Sequence, residues 1–269
     1  MKHGNEDPAR IARLRWESAL LPLLEAPTEA LWRAHSDAVN AALLERWLPA
    51  ERSRILLKTD LFDEAMGAGL FPLLARHARR VAALDVAPSV LAGAVSNHPQ
   101  LLAVAADVRQ LPFAQETFDV VVSISTLDHF ETCDEILVAL RGLHRVLRRG
   151  GRLLLTLDNL ANPVVAVRSV LPFALLRRLR LADYPAGATC GPWRLRRMLR
   201  EAGFAVLDTA ALLHCPRALA VASARRLQRA GTPDERARFL YRLLRWERLA
   251  QLPTRFFTGY YIGISARKP

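Results

Sequence analysis

Apolar residues change their spacing along this chain, and each change marks a different kind of element. Over residues 9–48 they recur at helical intervals. The run from Thr28 carries Leu31, Ala38, Val39, Ala42, Leu43 and Trp47 and stops at Pro49. From 54 to 157 short continuous apolar runs alternate with helical segments. RILLKT, VAALDV, LLAVAAD, FDVVVSIS and GRLLLTLD read as strands, and LFPLLARHA, APSVLAGAV and CDEILVALRGLHRVLR as helices between them. Runs without a polar face are strands covered on both sides, and helices between them make right-handed crossovers. The pattern therefore predicts a parallel, doubly wound α/β sheet. Residues 159–200 interrupt it with arginine-rich amphipathic helices. FAVLDTAAL then reads as a strand, 233–250 as a helix and GYYIGISAR as a closing strand.

Composition narrows the class. Of 269 residues 51% are apolar and 24% charged, which excludes a disordered or fibrous chain. The formal charge of +12 is uneven: residues 1–150 hold slightly more acids than bases, whereas 151–269 hold 21 Lys+Arg against 7 Asp+Glu. Acidic residues in MKHGNEDPARIARLRWESALL stand where the apolar segment of a signal peptide would begin. The longest uncharged stretch, Val86 to Ala106, is broken by Pro88, Ser96, Asn97, His98, Pro99 and Gln100 and does not read as a membrane span. Cys133, Cys190 and Cys215 lack metal-type spacing and cannot all pair. They read as apolar fillers in a reducing cytoplasm, with no metal site.

In open α/β sheets ligands bind beyond the carboxyl ends of the strands. Asp85 stands at the end of the second strand, Asp107 beyond the third, and Ser123 and Ser125 at the end of the fourth, followed by Asp128 and His129. A carboxylate after strand two suits the vicinal hydroxyls of a ribose, with Val86 beside it. One after strand three, beside Val108, suits the amine of an adenine packed on apolar side chains. Each aspartate alone is equally a helix cap or turn residue. Together, at consecutive strand ends, they favour a nucleoside.

The stretches LDVAPSVL, AADVRQLPFAQETFDVVVSISTLDHF and ALRGLHRVLRRGGRLLLT resemble, in order and spacing, the class I S-adenosylmethionine-dependent methyltransferases, in particular their quinone-methyltransferase-like, small-molecule branch. The resemblance implies a Rossmann-like seven-stranded sheet with its last strand antiparallel. It also implies bound S-adenosylmethionine, with Asp85 on the ribose and Asp107 on the adenine. The chain then divides into an N-terminal helical lid (1–50), a cofactor-binding core (51–158), a basic insertion forming the acceptor pocket (159–202) and the end of the sheet (203–269).

The family's first motif, an acid followed by alternating glycines after strand one, is altered here. If Lys58 occupies the place of the acid, the glycines are gone. If Asp63 does, Gly67 and Gly69 remain of three, at the cost of about five extra residues after RILLK, as a bulge or longer loop. The second alignment predicts Asp63 or Glu64 on the cofactor's amino group and Gly67 and Gly69 under its carboxylate. Lys58 is then either an ion-pair partner or a hand on that carboxylate.

Methyl transfer depends on positioning, with a base only for an un-ionised acceptor. His129 is the candidate base, with Asp128 orienting or replacing it; the bland reading is a histidine closing the pocket. Strand four lacks the Asn/Asp-Pro-Pro-aromatic signature of amino-group methylation of bases and glutamines, which favours an oxygen or carbon of a metabolite. His35, Asp37 and Asn40 belong to a lid or to a solvated helix face. Thr232-Pro233-Asp234-Glu235 forms a capping box that opens a helix with an apolar stripe (Phe239, Leu240, Leu243, Leu244, Trp246) and Arg238, Arg242 and Arg245 on another face. Pro163 to Leu181 shows the same mixture. Both suit an anionic membrane surface and a lipophilic acceptor, at the inner membrane face of the cytoplasm. Nucleic acid is disfavoured because these arginines are interleaved with core-like Leu and Trp. A non-catalytic methyltransferase-like binder, a nucleic-acid methyltransferase and an NAD-type oxidoreductase are the alternatives.

Overall fold

The computed structural model describes residues 8–25, 29–178 and 187–269. In it seven strands form one sheet in the order β3-β2-β1-β4-β5-β7-β6. They are β1 (Ser53–Lys58), β2 (Ala78–Asp85), β3 (Leu102–Ala105), β4 (Phe118–Ile124), β5 (Leu147–Asp158), β6 (Ala205–Leu212) and β7 (Tyr261–Arg267). β1 to β5 pair in parallel, and β7 enters antiparallel between β5 and β6. Class and topology are those expected.

Alternation along the strands splits the core into two layers. Leu56, Val81, Ala83, Val120, Val122 and Leu154 face one side; Leu57, Ala82, Leu84, Val121, Leu153 and Leu155 face the other. Each fully buried side chain of this size contributes roughly 1.5–3 kcal/mol, which is why these runs carry no polar residue. The first layer is covered by α1 (Pro8–Glu25), α2 (Ala30–Trp47), α3 (Phe62–Met66), α4 (Phe71–His77) and α5 (Pro88–Asn97). The second is covered by α6 (Cys133–Val146) and, later in the chain, α9 (Pro192–Glu201). Between them lie α7 (Pro163–Val170) and α8 (Phe173–Arg178), and residues 179–181 of the basic stretch fall outside the described residues.

Three expectations change. β5 begins at Leu147, within the stretch read as the end of a helix, because Leu147 pairs with Phe118 ahead of an irregular register. The turn is carried by Gly150 at φ +76°, whose N–H donates to Lys268 O. A helix the hydrophobic pattern did not announce, α10 (Arg217–Ala230), packs on α2 and on α11 (Pro233–Arg245). The helix expected over 233–250 is α11 followed by a 3-10 helix, Trp246–Gln251; α12 (Arg255–Thr258) precedes β7. Its apolar stripe is divided: Leu243 is buried and Phe239 and Leu240 pack on the core. Tyr241, Leu244 and Trp246 stay exposed. By contrast α7 leaves Val164, Val167 and Val170 exposed. Among the described residues no helix is long and apolar enough to cross a membrane.

Candidate active site

Beyond the carboxyl ends of the parallel strands lies a cavity of about 430 Å³, roofed by α1 and α2. Its floor is made where the strands stop, because a parallel strand ends on the face from which the next crossover departs. Asp60, Asp85, Asp107, Ser125 and Thr126 line that floor, with Val86 and Val108 beside them. Trp16, Leu20, Trp32, Arg33, Ser36 and Asn40 come down from the roof.

Asp85 ends β2 and lies on the wall, as expected. Its two oxygens accept from Leu61 N (3.0 Å) and Ala87 N (2.9 Å). Burial pushes its carboxyl up to about 6 against these stabilising N–H bonds. Asp107 also lies on the wall, clasped by Arg109 through N (2.8 Å), Nε (3.0 Å) and Nη2 (2.6 Å). Arg109 reaches on to Glu135 and stacks over the Phe130 ring at 4.9 Å. Glu135 in turn closes the α6 capping box with Thr132. The sequence reading overlooked Arg109; its signal was its position two residues after Asp107.

The corner after β1 corrects the glycine-loop expectation. Neither a bulge nor a long loop follows RILLK; the short helix α3 begins at Phe62. Asp63 lies on the cavity wall, but Glu64, Gly67 and Gly69 do not. Glu64 is fully buried, accepting from Lys58 Nζ (2.8 Å) and Leu70 N (3.0 Å). Gly69 adopts φ +52°, and a Cβ there would meet the Glu64 carboxyl at 2.8 Å; nothing stands within 4 Å of a Cβ on Gly67. Gly69 therefore shapes the packing of this corner, Gly67 does not, and neither lines the cavity. Lys58 is likewise off the wall, its Nζ donating also to Asp60 O at 2.8 Å. Burial opposes its charge, but Asp60, Glu64 and Asp63 around it raise its pKa. Of the two roles open to Lys58, the geometry is that of the ion-pair partner.

A carboxylate group extends from this corner to the roof. Burial, then the charges of Asp37, Asp60 and Glu64, raise Asp63 to about 8, with Lys58 opposing. Burial likewise raises Asp37 to about 6. Asn40 lies on the wall, whereas His35, expected in a lid or on a solvated face, is fully buried, 3.7 Å from Cys215 Sγ through Nε2.

At the end of β4 the expectations divide. Ser123 is fully buried, accepting from Thr59 Oγ1 (2.8 Å), and does not reach the cavity. Ser125 does, at φ +51°, a strained conformation of the kind that clusters at functional sites. His129 lies on the wall, edge-on to Trp16 at 4.7 Å between ring centres. Asp128 is buried behind it, accepting from Ser125 Oγ (3.0 Å) and Asp158 N (3.2 Å); burial raises its pKa. It ties the turn to β5 and does not line the cavity. Among the described residues no cluster of His, Cys, Asp and Glu is arranged to hold a metal ion.

Comparison with known proteins places this geometry. Residues 63–155 match the family described as "Methyltransferase domain". A malonyl-[acyl-carrier protein] O-methyltransferase from Herminiimonas arsenicoxydans is 35% identical over 159 residues, 55% of this chain and 57% of the relative. The chain spans 22% and 57% of the lengths of two curated relatives it matches. Among solved structures, the [4+2]-cyclase SpnF superposes with a TM-score of 0.64 at 17% identity, covering 98% of this chain and 97% of that one. The N-methyltransferase NodS from Bradyrhizobium japonicum WM9, in complex with S-adenosylhomocysteine, gives 0.52 at 17% identity, covering 98% and 100%. The likeness to a cyclase is one of fold, and fold alone does not assign a reaction. Residues 63–155 thus match a methyltransferase domain, and the sheet order is a fold shared with solved methyltransferases.

Proposed function

We propose that the protein transfers a methyl group from S-adenosylmethionine to an oxygen or carbon of a small, lipophilic acceptor. The observation that carries this reading is the placement of Asp85 and Asp107 on one cavity wall at adjacent strand ends. Each Asp85 oxygen accepts one backbone N–H and keeps a second lone pair for a ribose hydroxyl. Val86 and Val108 offer apolar contact to a base. The chain's residues thus fit the nucleoside part of the cofactor, which when bound supplies a methyl group activated on a sulfonium.

The roof supplies the acceptor side. Trp16, Leu20 and Trp32, with Tyr261 from the start of β7, give it an apolar, aromatic lining suited to a lipophilic molecule. His129 faces the same space and takes the proton of an acceptor that is not already ionised, releasing it to water afterwards. Asp128 holds the turn that carries His129 through its bonds to Ser125 and Asp158 N. The O-methyltransferase relative favours an oxygen acceptor. The exposed valines of α7, next to Arg177 and Arg178 of α8, suit an anionic, inner membrane face of the cytoplasm as the place where such an acceptor is met.

Calorimetry with S-adenosylmethionine, S-adenosylhomocysteine and NAD tests the reading. Both sulfur nucleosides are expected to bind and NAD is not. Asp85→Asn is expected to weaken the nucleosides by about tenfold, the order of one lost charged hydrogen bond. Failure of the wild type to bind either sulfur nucleoside ends the methyltransferase reading. Absence of co-sedimentation with anionic phosphatidylglycerol vesicles at low salt ends the membrane part alone.

A further inference from the structure

We propose that Arg33, on the roof helix α2, holds the carboxylate of the cofactor's amino-acid part, in place of the glycine amides that this chain does not bring to the cavity. The inference rests on the cofactor reading above and asks what anchors the end of the ligand away from Asp85 and Asp107.

The usual candidates are engaged elsewhere. Gly67 and Gly69 are off the wall. Of the backbone donors at the β1 corner, Thr59 N is given to Val122 O (3.1 Å) and Leu61 N to Asp85 (3.0 Å). Lys58 is 2% exposed and surrounded by Asp60 and Glu64. Two arginines line the cavity, and they differ in commitment. Arg109 is clasped by Asp107 and Glu135 at the base end. The Arg33 guanidinium takes part in no hydrogen bond or ion pair among the described residues.

Arg33 is also at the right end. Its charge is felt by Asp37, one helical turn further along α2, and Asp37 in turn raises Asp63 together with Asp60. The neighbourhood thus combines a planar guanidinium, able to bind a carboxylate through two parallel N–H donors, with the carboxyl groups of Asp60 and Asp63 on the same cavity wall, able to receive an ammonium. That is the charge pattern of a free amino acid's zwitterion. Arg33 lies on the roof, so anchoring there couples cofactor binding to the seating of α2.

The test separates the two ends of the ligand. S-adenosylhomocysteine carries the amino-acid part; 5′-methylthioadenosine has the same nucleoside and sulfur without it. Arg33→Met is expected to weaken S-adenosylhomocysteine by about tenfold or more, the order of a lost bidentate charged pair, while leaving 5′-methylthioadenosine unchanged. Arg33→Lys, keeping charge without the fork, is expected to fall between. Thermal unfolding of Arg33→Lys should match the wild type, since the charge near Asp37 is kept and Arg33 makes no hydrogen bond or ion pair among the described residues. Equal loss for both ligands, or no loss for either, overturns the assignment while leaving the cofactor reading standing. Wild type that binds neither ligand overturns both.

Discussion

The two ends of the cavity are built by opposite means. At the β2–β3 side, Asp85 is the last residue of β2 and Asp107 stands two residues beyond β3, so both reach the wall close to where their strands end. At the β1 corner the strand ends in Lys58, which turns inward, and the charged residues that follow serve one another as much as the cavity. Where a sheet sets the geometry, a family pattern survives as a functional surface. Where a loop sets it, the same residue types can be absorbed into the packing.

The sharpest way to break this contrast is Lys58→Met. It strands the buried Glu64 carboxylate, and removing one partner of a buried pair costs about 3–5 kcal/mol in urea unfolding. Replacing both, Lys58→Met with Glu64→Leu, should recover most of that loss. If the single variant instead keeps its stability and loses S-adenosylhomocysteine, Lys58 touches the ligand and the corner is not structural.

A smaller effect separates the two glycines. Gly69→Ala forces a β-carbon against Glu64 from a left-handed backbone and should cost about 2 kcal/mol. Gly67→Ala, with open space around it, should change stability by less than about 0.5 kcal/mol. Both should leave ligand affinity nearly unaltered at temperatures where they are folded. A Gly67→Ala variant that is stable but no longer binds would restore the glycine loop to the ligand.

The mildest prediction concerns pH. Asp63 titrates near 8 in the folded chain against 3.8 as its ordinary value. Between those values the folded state holds a proton that the unfolded state has released, so stability falls as pH rises through the window. Asp63→Asn removes this residue's share of the effect. Its melting temperature should equal that of the wild type at about pH 4 and exceed it increasingly as pH rises to about 9. Identical slopes for the two proteins would show that Asp63 ionises freely and that its carboxylate neighbours do not crowd it.

The sheet was legible because a parallel strand covered on both faces needs an unbroken apolar run, and FDVVVSI or GRLLLTLD admits few other structures. α10 was not, because RALAVASARRLQRA buries only Ala220 and Ala224, too little for periodicity to show. Of the candidate site, the aspartates at strand ends were readable from position alone. Arg33, Trp32 and Trp16 were not, since nothing in a helical pattern says which face lies over a cavity formed by strands far along the chain. His35 meets its neighbour Cys215 across 180 residues of sequence, a distance no local pattern spans.

The sequence by itself determined the fold class and the two carboxylates beyond the strand ends, because burial periodicity is a local property; the antiparallel closing strand was implied only by the family resemblance. Only the tertiary structure decided that Lys58 and Glu64 close on each other, that the apolar face of α11 rests on the core, and that Asp128 stands behind His129 away from the cavity. Each of those outcomes depends on which charge or surface comes within a few ångströms of which, and that is settled when distant segments pack.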